Sequence, residues 1–188
     1  WLVEFNHASA QQLLALRVRG TVPPLEITMA AASGLIPTRV LLVVEEKAQL
    51  ELLQVFSGRG EAAHSHLMEV HLGQEAQLNH GVLACADGVA ALFAQLAVEQ
   101  EPRSTYNFTS VVQGWSLGRI EPRVVQVDGQ ASTTLKGLAV ADLEQQLAVH
   151  TWVCFEGPDG ELDQLQKCLA AGRSHTIFNG AINVPRKA

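Results

Sequence analysis

Along most of the chain, apolar and polar residues alternate with a period of two, and each alternating stretch ends at a polar corner. Residues 13–19 show the pattern: Leu14, Leu16 and Val18 fall on one face, and Leu13, Ala15, Arg17 and Arg19 on the other. Such a period matches a pleated strand, whose side chains point alternately up and down. Residues 39–44, 50–55 and 124–127 are short, aliphatic and rich in β-branched side chains, and each predicts a strand. Glycines, among them Gly58, Gly73, Gly81, Gly114 and Gly129, punctuate these segments. Helical periodicity is scarce, its best candidates being the Ala-rich stretches 89–100 and 142–147. About a dozen strands without regular helices between them disfavour a doubly wound α/β fold and predict an all-β architecture.

A weak repeat narrows that class. Glu46-Lys47-Ala48-Gln49-Leu50 is echoed 28 residues later by Gln74-Glu75-Ala76-Gln77-Leu78, and Asp128-Gly129-Gln130-Ala131 stands about twice that spacing further on. In each case a strand ends, a polar pair turns, an alanine tucks under and a new strand begins. Repeats of this length are the signature of stacked coils. A β-solenoid of about 25 residues per coil gives ~7 coils and a rod of roughly 35 Å, with coils ~4.8 Å apart. The competing architecture is an antiparallel sandwich, with turn signals every ~8–12 residues.

Composition bounds the function. The 188 residues suffice to bury a core without disulfides or a structural metal. Aromatic residues make up only 5%, which suits a narrow interior stacked with Val, Leu, Ile and Ala. Thirteen basic against nineteen acidic residues give a net charge of −6 with no basic block, so neither nucleic acid nor an anionic membrane is an expected partner. Apolar runs such as residues 40–44 fall far short of the ~20 residues of a bilayer span. Cys85, Cys154 and Cys168 form no CxxC pair, and no signal peptide is evident, although a leader before Trp1 is not excluded. The expected compartment is reducing, cytoplasmic or the plastid stroma. Asn107-Phe108-Thr109 has the form of a glycosylation acceptor and carries little weight.

Local chemistry is sparse. His64-Ser65-His66 is the most metal-like pattern, since residues two apart on a strand share a face. On a continuous strand Glu69 and His71 fall on the opposite face, and the plainer expectation for the two histidines is a solvent-facing corner near Gly58 and Gly60. No Gly-rich nucleotide loop and no Gly-x-Ser-x-Gly elbow is present.

Longer-range motifs resemble a known family. Val43-Val44-Glu45-Glu46, Ala48-Gln49-Leu50 and Phe56-Ser57-Gly58 are similar to segments of the SufB/SufD family of iron–sulfur cluster assembly proteins. So are His71-Leu72-Gly73, Ala76-Gln77-Leu78 with His80, and Leu96-Ala97-Val98-Glu99-Gln100. Near the C-terminus the resemblance continues through His150-Thr151, Pro158, Gln164-Leu165, Lys167 and Phe178-Asn179-Gly180, all in family order. The balance is closer to SufD than to SufB.

The resemblance implies a right-handed parallel β-helix, with residues 1–188 forming its core. It implies a non-catalytic scaffold that pairs with SufB and the ATPase SufC, the Fe–S cluster being assembled at the level of the complex rather than bound by this segment. In the family, a Cys-x-His-Gly segment and the helices that dock the ATPase follow the Phe-Asn-Gly motif. Here the chain stops soon after, at Arg186-Lys187-Ala188, so the β-helix is expected to be C-terminally incomplete. His150, Thr151, Lys167, Phe178, Asn179 and Gly180 are then structural motif residues. Cys154, Cys168 and Phe155 depart from the family pattern.

No metal site is assigned; the best candidate pair is His150 with Cys154, on one face of a strand. A small apolar filler is the plainer role for Cys154, and more so for Cys85 and Cys168. Lys167 and Arg173 stand as isolated charges that could close on an acidic partner surface, mere solvation being the plainer role. Ile177, Ile182 and Val184 lie near the expected open end, where a partner or a second copy (a homodimer) would cover unpaired backbone. A polysaccharide-acting β-helix enzyme would need clustered acids, whereas Glu45-Glu46 is the only adjacent acidic pair. A purely structural, polymerising solenoid is the other alternative.

Overall fold

The computed structural model describes residues 2–10 and 12–186. A short helix α1 (Leu2–Ser9) is followed by thirteen strands: β1 (Leu14–Val18), β2 (Leu25–Ala31), β3 (Gly34–Val44), β4 (Gln49–Gly58), β5 (Ala62–Leu72), β6 (Gln77–Ala86), β7 (Ala91–Gln100), β8 (Thr105–Gln113), β9 (Leu117–Gln126), β10 (Ser132–Ala141), β11 (Gln146–Phe155), β12 (Glu161–Ala170) and β13 (His175–Asn183). Odd-numbered strands form one seven-stranded sheet and even-numbered strands a six-stranded one, each ordered by coil. Every pairing between strands is parallel. The chain is a parallel β-solenoid of about six turns, with two strands per coil. All-parallel pairing excludes the antiparallel sandwich.

Register shows why the 28-residue echo exists. Leu50 pairs with Leu78, Gln77 with Thr105, and Gly34 with Ala62. The coils are therefore slightly longer, and fewer, than the 25-residue estimate. The repeated corner also takes the form expected. Ala48 and Ala76 are fully buried beneath turns in which their N–H groups donate to the carbonyls of Glu45 and Gly73, and Ser104 occupies the same place one coil on. Lys47, Glu75 and Arg103 hold the left-handed position of these turns, with φ of 59°, 61° and 60°.

Two expectations are corrected. Residues 89–100 contain strand β7, not a helix: its exposure alternates residue by residue, with Leu92, Ala94, Leu96 and Val98 inward. Residues 142–145 are a corner, and Gln146 and Leu147 begin β11. In both stretches abundant alanine fits either period, and stacking against neighbouring coils decides for strand. Conversely, α1 lies in a segment without a clear helical pattern. It packs over the outer face of β3 and β5, where the Asn6 amide donates to the carbonyls of Thr38 and Ser65 (3.2 and 2.7 Å). Among the chain's closing residues, Lys187 and Ala188 lie outside the described region, as does Trp1.

The core is the interior of the solenoid. Leu42, Val44, Leu72, Leu78, Leu92, Ile120, Val124 and Val153 stack rung on rung, with Phe56, Tyr106, Phe108 and Trp115 as the large fillers. Gly58 admits the Trp115 ring: a Cβ there would stand 2.6 Å from both Ala90 Cβ and the indole. This is a packing reason for glycine in Phe56-Ser57-Gly58.

Candidate functional site

The motif residues near the C-terminus converge although they lie on different strands. In the β11–β13 ladder Val149 pairs with Phe178, His150 with Asn179 and Thr151 with Gly180. Thr151 points inward and accepts a hydrogen bond from the Gln164 amide of β12 (3.0 Å). A Cβ on Gly180 would crowd that pair, coming 3.2 Å from both Thr151 Oγ1 and Gln164 Nε2. Lys167 is not part of this cluster; it is exposed on the outer face of β12, opposite Leu138.

His150, Trp152 and Cys154 share the outer face of the seven-stranded sheet. Four residues along a strand span roughly 13 Å. Trp152 stands between His150 and Cys154, so one ion cannot bind both, since metal–ligand bonds are ~2.0–2.3 Å. Cys154 is buried and accepts a bond from the Asn183 amide (3.3 Å). Cys85 faces outward on the other sheet, and Cys168 is exposed on β12. Among the described residues no group of three or more His, Cys, Asp or Glu is arranged to hold a metal ion.

Around His150 the outer face carries a packed polar patch. Glu121 accepts from Arg119 (2.8 Å) and from Arg123 (3.2 Å), and the Arg123 guanidinium lies 4.8 Å above the Trp152 ring. Burial pushes the Glu121 carboxyl up, but the two arginines outweigh it and hold it below the usual range. The His150 imidazole is pushed down by burial and by Arg119, with Glu121 opposing. Arg173, expected to be isolated, pairs with Glu144.

The solenoid interior holds polar chemistry that the sequence did not announce. His64 and His66 do share a face, with Glu69 and His71 opposite, but that face is the core and not a solvated corner. His66 Nδ1 lies 2.8 Å from Thr38 Oγ1, and its Nε2 lies 3.1 Å from the Gln54 amide nitrogen. The Gln54 oxygen lies 2.9 Å from His80 Nε2, and His80 Nδ1 lies 3.0 Å from the Tyr106 hydroxyl. Burial, with His80 and His64 adding to it, lowers His66 to about 3. Burial alone lowers His80 to about 3 and raises Tyr106. His64 is lowered by burial despite its contact with the Ser57 carbonyl. A second chain runs from the Gln126 amide to Thr133 (2.8 Å) and from the Thr133 hydroxyl to Gln100 (2.5 Å). One signal was available for these residues: Gln54, His80 and Gln100 each stand two positions after an inward aliphatic residue on their strands.

A protein-family model described as SUF system FeS cluster assembly, SufBD core domain, matches residues 27–188. The chain belongs to the SufBD core-domain family. Among curated relatives of this SufBD chain, the protein ABCI7, chloroplastic, of Arabidopsis thaliana is 30% identical over 154 residues, covering 80% of the chain and 32% of that protein. The iron–sulfur cluster assembly SufBD family protein slr0076 of Synechocystis sp. is 24% identical over 164 residues, covering 82% of the chain and 36% of that protein. The SufBD chain thus spans about a third of the length of these relatives. No helix among its described residues is long and apolar enough to cross a membrane.

Proposed function

We propose that this SufBD chain is a non-catalytic scaffold segment in iron–sulfur cluster assembly, working as a SufD-like partner of SufB and the ATPase SufC in the cytoplasm or plastid stroma. The cluster is cargo of the assembled complex and not a resident cofactor of this segment. The observation that carries the reading is the family match across residues 27–188, in a chain that folds as a parallel β-solenoid. Supporting it, the outer faces carry cross-paired charges such as Arg39 with Glu69 and Arg119 with Glu121, and Ile177, Ile182 and Val184 are exposed for a partner or a second copy to cover. The test is co-expression of the tagged chain with SufB and SufC, followed by co-purification and by transfer of clusters to an acceptor apoprotein. SufB is expected to co-elute and transfer to depend on the complex. Failure of both partners to co-elute, with transfer unchanged by the chain, overturns the reading. Light scattering at micromolar concentration tests self-association, and a monomer there counts against the homodimer.

A further inference from the structure

The interior hydrogen bonds from Tyr106 to Thr38 allow one direction in which every donor atom along the run has an acceptor. The Tyr106 hydroxyl donates to His80 Nδ1, and His80 Nε2–H donates to the Gln54 oxygen. The Gln54 amide N–H then donates to His66 Nε2, and His66 Nδ1–H to Thr38 Oγ1. The Thr38 hydroxyl closes the run on Met29 Sδ at 3.8 Å. In the opposite direction the Gln54 amide is flipped and both rings change tautomer. Tyr106 then accepts from His80, which is its one hydrogen-bond partner among the described residues. Its own proton is left without an acceptor in a site with no solvent exposure, and a buried orphan donor carries its full desolvation cost.

We infer that the chain is a polarised relay: the phenol end fixes its direction, and the Gln54 amide transmits that direction so that His66 and His80 hold opposite tautomers. The relay crosses the core from the six-stranded sheet to the seven-stranded one, tying the two walls of the solenoid together by side chains. It passes through Thr38, whose carbonyl receives the Asn6 amide of α1, so the interior state and the outer helix meet at one residue. Every ring nitrogen of the two histidines is committed to a hydrogen bond, which leaves no lone pair free for a metal ion.

Long-range proton–nitrogen NMR on the full chain with labelled histidine tests this directly. Near neutral pH the unaltered protein is expected to show His66 protonated at Nδ1 and His80 at Nε2. Gln54→Glu, when its new carboxyl is ionised, accepts from both rings, so His66 is then expected to move to the Nε2 form while His80 keeps its own. The same tautomer at both rings in the unaltered protein overturns the inference, whether or not the variant folds. So does a folded Gln54→Glu variant whose new carboxyl is ionised, by its carboxyl-carbon shift, while His66 stays protonated at Nδ1 alone.

Discussion

Acid should weaken this fold before its carboxylates begin to titrate, and the two buried imidazoles set the size of the effect. His66 and His80 ionise near 3 in the folded chain, against an ordinary value of 6.5 once unfolded. Between those limits the unfolded chain takes up a proton at each site and the folded chain does not. The unfolded state therefore binds more protons, and stability rises with pH. The contribution of the pair is complete above 6.5 and is lost progressively as pH falls toward 3. From pH 6.5 to about pH 5 each histidine gives up ~1.5 pH units at ~1.4 kcal/mol per unit, or roughly 2 kcal/mol, and the pair about 4 kcal/mol. That is a large part of the ~5–15 kcal/mol that holds a typical domain together. His64 and His150, also shifted down, add in the same direction. Urea unfolding followed by circular dichroism at about pH 7.5 and about pH 5 measures the loss, and His80→Gln, which removes one titrating ring, should roughly halve it. Equal stability at the two pH values would show that the imidazoles are hydrated or already charged, and would refute the reasoning.

Other predictions follow from single positions. Gly58→Ala forces a methyl to within 2.6 Å of Ala90 Cβ and the Trp115 ring, so it should cost about 1–3 kcal/mol and lower the thermal midpoint, with altered indole fluorescence. Leu143 holds φ of 57° at a corner where Gly60, Gly88, Gly114 and Gly172 occupy the positive-φ positions of other coils, and its side chain is 69% exposed. Leu143→Gly should relieve left-handed strain and leave urea stability unchanged or raised by up to ~1 kcal/mol; a loss would contradict the assignment. Glu121→Gln leaves Arg119 and Arg123 without their shared carboxylate, with an expected cost of about 1 kcal/mol that shrinks when the same melts are run in high salt.

Much of the architecture was legible because a stacked coil writes itself into the chain twice, as alternation along strands and as recurrence at corners. Leu16 and Val18, and the echo of Ala48 by Ala76, are direct imprints of inward packing and a buried turn. The Ala-rich stretch 89–100 was ambiguous because alanine satisfies both periods, and only the coils on either side decide it. The histidines failed differently. A polar residue at an inward position reads locally as a break in the pattern, whereas His66 and His80 are satisfied there by Gln54, Thr38 and Tyr106, residues 12 to 28 positions away. Pairing of His150 and Thr151 with Asn179 and Gly180 was equally invisible, because it depends on a 29-residue register that no local pattern encodes.

The corners leading from the seven-stranded to the six-stranded sheet change length along the rod. After β3, β5 and β7 they contain four residues, and after β9 and β11 they contain five. The two longer ones nest: a Cβ on Gly129 would fall 1.9 Å from the Pro158 carbonyl oxygen, and one on Gly157 would collide with Asp128 and Gly129. A residue gained or lost at one of these bends would therefore strand its neighbour without a mate. Insertions and deletions in this lineage should arrive as matched pairs on adjacent layers, or as whole layers at once.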